Sequence, residues 1–129
     1  MIIISGPTIL QRFDLVDRGD PASVDFDEGD FTTNGAAHDL DLSGKIPVGA
    51  YAALLEVGIR SNTANKEIQF RKKGNSNWHN TFRVHENIIN LTFFGQGWVF
   101  CDANRVIEYM ASDITFSILD VTVCAWVIK

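Results

Sequence analysis

Residues 51–60 read Tyr51-Ala52-Ala53-Leu54-Leu55-Glu56-Val57-Gly58-Ile59-Arg60, and their pattern repeats every second residue. Tyr51, Ala53, Leu55, Val57 and Ile59 share one side of an extended chain, while Leu54, Glu56 and Arg60 share the other. At 3.6 residues per turn a helix would scatter the first set around its circumference. The stretch is a half-buried strand. Leu55, Val57 and Ile59 are expected inside, with Glu56 and Arg60 outside.

Downstream, Ser61-Asn62-Thr63-Ala64-Asn65-Lys66 is a turn cluster, and Glu67–Lys72 alternates again with Ile68 and Phe70 inward. Residues 51–72 are therefore expected to form a hairpin. Short strands are also expected at Thr81–His85, Ile88–Phe94, Trp98–Cys101, Arg105–Ala111 and Ile114–Ile118, with polar Gly74–Asn80 as a loop and Gly95-Gln96-Gly97 as a break. The last strand sets Val121, Val123, Ala125 and Val127 against Thr122, Cys124, Trp126 and Ile128. Upstream, Asp39–Leu42 and Thr8–Phe13 read as strands and Ile2–Ser5 as an edge strand. Ile107 and Tyr109 fall on one inward face, where the tyrosine hydroxyl needs a partner. Strands this short, separated by frequent turn signals and without a capped helix, define an all-β chain. The expected architecture is a two-sheet antiparallel sandwich, with jelly-roll the first choice of strand order.

The 129 residues amount to one domain spanning 1–129, and 46% hydrophobic against 21% charged residues is ordinary for a globular fold. No apolar run approaches the roughly 18 residues of a membrane span. Met1-Ile2-Ile3-Ile4 runs straight into Gly6-Pro7 without a basic lead, so synthesis in a cytoplasm is expected rather than secretion. The net charge of −5 is unevenly placed: residues 1–41 carry nine acids against Arg12 and Arg18, and the remainder is slightly basic. That distribution argues against nucleic-acid binding, which needs an excess of Lys and Arg. Residues 14–37 concentrate seven acids with Gly19, Gly29, Gly35 and Pro21, and read as an acidic loop or arm. The arm can lie on its own body or against a basic surface of another copy. Cys101 and Cys124 sit in apolar strand-like surroundings that suit free thiols, and they fall short of a zinc site.

The run Cys101-Asp102-Ala103-Asn104-Arg105-Val106-Ile107-Glu108-Tyr109, together with Asp120–Trp126, resembles small β-sandwich proteins encoded by bacteriophages and prophages among their virion genes. His38–Ser43, Ile46–Ala50 and Phe70–Asn75 are similar to the same group, so the resemblance covers residues 38–128. It implies a non-enzymatic structural component of a virion, either a head decoration protein or a tail or fibre module. Decoration is preferred, because a compact stand-alone domain suits an added outer layer. Partners would be a phage capsid or tail protein and other copies of the chain, with a trimer the assembly that the resemblance implies.

Several clusters have residue types that suit chemistry. Asp25-Phe26-Asp27-Glu28-Gly29-Asp30 is acidic enough for calcium but has Gly29 at a ligand position, so a solvated loop is expected. His38, Asp39 and Asp41 read as a polar strand face, and no nucleophile, metal or cofactor motif is present. Asn75, Asn77, Trp78, His79 and Asn80 combine a large aromatic with amides. Trp78 could be a sugar platform, a protein anchor or a lid on the sandwich core. The alternative function is accordingly a carbohydrate-binding module. For self-association, apolar Ile2, Ile3 and Ile4 are the candidate edge, and Arg71 and Lys73 the candidate landing place for a neighbour's acidic arm.

Overall fold

The structure, a computed structural model, describes residues 12–129. Eight strands follow in order: β1 (Asp14–Asp17), β2 (Ala37–Asp41), β3 (Ala50–Arg60), β4 (Lys66–Lys72), β5 (Phe82–Glu86), β6 (Phe93–Phe100), β7 (Val106–Ala111) and β8 (Ile118–Ile128). They form two four-stranded antiparallel sheets, β1-β8-β3-β6 and β2-β7-β4-β5, packed as a sandwich. The pairs β1·β8, β2·β7, β3·β6 and β4·β5 are those of one long folded ribbon, and rolling it adds β3·β8 and β4·β7. The core lies between the sheets, where Leu55, Val57 and Ile59 meet Ile68, Phe70, Ile107, Leu119, Val121 and Val123, all without exposed surface. Glu56 is outside and Arg60 is half-exposed.

The structure departs from the local pattern at five places. Residues 51–72 are not a hairpin: β3 and β4 lie in different sheets, and Ser61–Asn65 arches between them. The arch is held by Glu86, fully buried at the end of β5, whose carboxylate accepts bonds from the Ser61 N–H (2.9 Å) and the Ser61 hydroxyl. Ile88–Leu91 is a turn with Ile88, Ile89 and Leu91 exposed, and β6 runs unbroken through Gly95-Gln96-Gly97. Ile114–Ser117 is the crossing from β7 to β8, so no strand forms before Ile118. In β8 the pairing to β3 skips Cys124, a bulge that reverses the alternation and turns Trp126 toward the core. The edge strand expected at Ile2–Ser5, and most of the one at Thr8–Phe13, lie outside the described residues; Phe13 itself precedes β1.

Residues 14–37 do not stand off as an arm. Asp14–Asp17 is β1, and the rest is strapped to the same chain's sandwich. Arg18 and Asp25 pair side by side and grip Val123: the Arg18 guanidinium donates to its carbonyl (2.9 Å) and Asp25 accepts from its N–H (2.8 Å). Phe26 forms a β-bridge with Val121, and Phe31 enters the core edge-on to Tyr109. The tyrosine hydroxyl accepts from the Thr32 N–H at 2.8 Å, which supplies the partner it needs.

Candidate functional site: an edge cleft beside an aromatic sheet face

β6 is the edge strand of its sheet, and its outward residues are Phe94, Gln96, Trp98 and Phe100. The three aromatics are 70%, 43% and 50% exposed. Their partners on β3 are Gly58, Leu54 and Ala52, and Gln96 donates to the Glu56 carboxylate at 3.0 Å. Phe94 lies flat over Gly58, where a Cβ would fall 2.7 Å from its ring. Phe100 stacks on Tyr51, which in turn meets Phe13 at 5.3 Å; Tyr51, expected to share the side of Leu55, departs from that alternation where the register shifts between Ala50 and Ala52. An aromatic row thus crosses the outer face of this sheet, and sheet faces turned to water are ordinarily polar.

The inward residues of β6 are Phe93, Gly95, Gly97 and Val99. The two glycines leave room for Phe82 of β5, whose ring spans the gap between the sheets and stacks on Phe70. Beside this ring the sandwich opens into a cleft of about 260 Å³, whose lining includes Trp98, Phe100, Phe82, Lys72, Asn75 and Asn80. A second, shallower depression of about 290 Å³ is lined by Asn75, Ser76, Asn77, His79 and Asn80, and shares Asn75 and Asn80 with the first. Lys72 reaches the mouth because it continues the inward series Ile68, Phe70 past the end of the core.

The loop that carries these amides is pinned from below. Arg71, on the outer face of its sheet, donates to Glu108 of β7 at 2.7 Å, and its guanidinium lies 3.9 Å from the centre of the Trp78 ring. Trp78 is therefore half-buried over a cation on the outside of the β2-β7-β4-β5 sheet. It is neither a lid on the sandwich core nor an open platform. Its carbonyl accepts from Arg83 and Thr81, and the Asn75 N–H donates to Lys72. Among the described residues, the side-chain amides of Asn75, Asn77 and Asn80 take no part in the loop's internal bonds. His79 is exposed beside them.

The other candidates fall elsewhere. Arg71 is committed to Glu108, and Lys73 to Asp39 (2.7 Å), so both carry carboxylate partners from their own chain. Ile2, Ile3 and Ile4 lie outside the described residues. Asp25 serves Arg18, while Asp27 and Asp30 cap the short turn Glu28–Asp30. Burial raises Asp25's carboxyl, but hydrogen bonds from Arg18 and the Val123 N–H, with the charges of Arg18 and Lys45, hold it below the usual value. Cys101 and Cys124 are free thiols, both pushed up chiefly by burial. Among the described residues no three His, Cys, Asp or Glu side chains are grouped to hold a metal, and no helix is long and apolar enough to cross a membrane.

Sequence reasoning reached Asn75 and Asn80 but missed Trp98, Phe100 and Phe82. Reading Gly95-Gln96-Gly97 as a break hid the shared parity of Phe94, Trp98 and Phe100, which was the signal that could have found them. A scan against protein-family models and searches of curated proteins and of solved structures returned no match to this chain.

Proposed function

We propose that this chain is a non-enzymatic structural component of a bacteriophage particle, with head decoration preferred over a tail or fibre module. The virion setting rests on the resemblance of residues 38–128. The observation that carries the structural role is the exposed row Phe94, Trp98 and Phe100 on one sheet face. Exposed aromatic side chains grouped on one sheet face, here on either side of Gln96, mark a contact with another protein, since leaving apolar surface in water forgoes about 25 cal/mol per Å². In this reading the face seats on a capsid or tail subunit, or on further copies of the chain as a trimer. The neutralised Arg71 and Lys73 move the expected contact away from a charged strand and onto this apolar face.

The test is mass spectrometry of purified particles from a culture expressing the gene. Stoichiometric amounts of the chain support the reading, and absence from particles overturns it. Light scattering on the full chain, on Phe94→Ser and on a variant lacking residues 1–11 then separates self-assembly through the sheet face from self-assembly through Ile2–Ile4. Residues 1–11 precede β1 and the Arg18–Asp25 strap, so the deletion removes no residue of either.

A further inference from the structure

We propose that the edge cleft and the adjoining asparagine-lined depression form one groove that binds a neutral oligosaccharide. The proposal does not depend on the virion setting, although the cleft shares Trp98 and Phe100 with the aromatic face of β6. Its warrant is the chemistry of the lining. One part of the lining brings together Trp98, Phe100 and Phe82, with Trp98 and Phe100 partly exposed, and aromatic surface of this kind suits the C–H face of a sugar ring. The other part offers three asparagine amides and His79, groups that can each donate and accept. A ligand matching both parts must be apolar on its ring faces and carry hydroxyls, themselves donors and acceptors, around its rim. Pyranose rings have that form.

Other ligand classes fit less well. A purely apolar molecule would cover the amides without bonding them, at a cost of about 1–3 kcal/mol for each unsatisfied group. An anionic ligand would find Lys72 as its one cation, because Arg71 and Lys73 are bonded to Glu108 and Asp39. Each depression alone falls just short of the roughly 300–1,000 Å³ typical of small-molecule sites, and the two adjoin through Asn75 and Asn80. The site is also pre-formed. The Glu108–Arg71–Trp78 stack fixes the loop before any ligand arrives, which lowers the ordering cost of binding. Trp78 is thus a positioning residue, and Trp98 the platform.

The experiment is a titration of the full-length, isotope-labelled protein with maltotetraose, cellotetraose, mannotetraose, galactotetraose and N-acetylchitotetraose, read by amide and indole NMR shifts. At least one is expected to bind with a Kd of about 1 mM or tighter. Its shifts should centre on the Trp98 indole and on residues 75–80. Trp98→Ala, and Asn75→Ala with Asn80→Ala, should each weaken binding at least about tenfold, or 1.4 kcal/mol. Phe94→Ser, outside the groove, should leave it unchanged. Asn75 and Asn80 sit in the loop rather than in a strand, so their variants remain informative if Trp98→Ala fails to fold. No shift with any of the five saccharides overturns the proposal, as does binding that survives both groove variants.

Discussion

Gly97→Ala probes the packing that creates the cleft. A Cβ built at Gly97 lies 2.3 Å from Cδ1, 2.4 Å from Cγ and 2.9 Å from Cε1 of Phe82. Carbon atoms in contact sit about 3.5–4.0 Å apart, so the ring must withdraw by about 1 Å or more. It has little room to do so, because its other face stacks on buried Phe70 with centroids 6.1 Å apart. Forced overpacking of this kind costs about 1–3 kcal/mol, offset by roughly 0.5–1 kcal/mol from alanine's better fit to an extended backbone. The expected net loss is about 1–2 kcal/mol. With a urea slope of about 1–3 kcal/mol per molar, the unfolding midpoint should fall by roughly 0.3–2 M. Gly44→Ala is the control, since nothing lies within 4 Å of its added Cβ. Adding Phe82→Leu to Gly97→Ala should recover part of the loss, a coupling of about 0.5 kcal/mol or more. If Gly97→Ala unfolds at the same urea concentration as Gly44→Ala, the ring is not where this reasoning needs it.

Three further outcomes are expected. Leu55→Ala empties a fully buried site and should cost about 2–5 kcal/mol in urea or thermal unfolding; a loss below about 1 kcal/mol would contradict the inward assignment of β3. Ser61→Ala removes a hydroxyl donor from buried Glu86 and should cost about 1–3 kcal/mol, whereas a neutral result would mean the arch is not held there. Asp25's folded carboxyl is held below its unfolded value of about 3.9, so its contribution is complete above that pH and fades as pH falls through the folded value. The stability gap between wild type and Asp25→Asn should therefore be wide at pH 7 and narrow toward about pH 3, and equal gaps would refute the linkage.

The strand content was readable wherever alternation is uninterrupted, as in residues 51–60 and 66–72, because a half-buried strand leaves a period of two in the chain itself. Sheet membership was not. The turn at 61–65 looks the same locally whether the next strand pairs with the last or crosses to the other sheet, and the choice is made by β6, β7 and β8, far along the sequence. The bulge at Cys124 was equally silent, since one extra residue changes which face Trp126 takes without changing composition. Ile88–Leu91 misled in the opposite way: four residues with three apolar side chains read as strand, yet they turn on Asn90 in a left-handed conformation. The asparagine half of the candidate groove was visible as a polar loop. Its aromatic half was not, because it is assembled from strands of different sheets.

The central position of β8, between β1 and β3, and of β7, between β2 and β4, bears on how the protein is made. During synthesis the first six strands emerge with each sheet still divided into two parts: β1 apart from β3·β6, and β2 apart from β4·β5. Neither sheet can close until residues 106–128 have left the ribosome. The inward faces of β3 and β4 stay wet until then, and the strap from Arg18 to Phe26 has no Val121 or Val123 to hold. Folding should consequently be a late, single event governed by contacts distant in sequence, which is slow and exposes apolar strands to chance encounters. A chain ending before β8 should aggregate rather than persist as a smaller folded core.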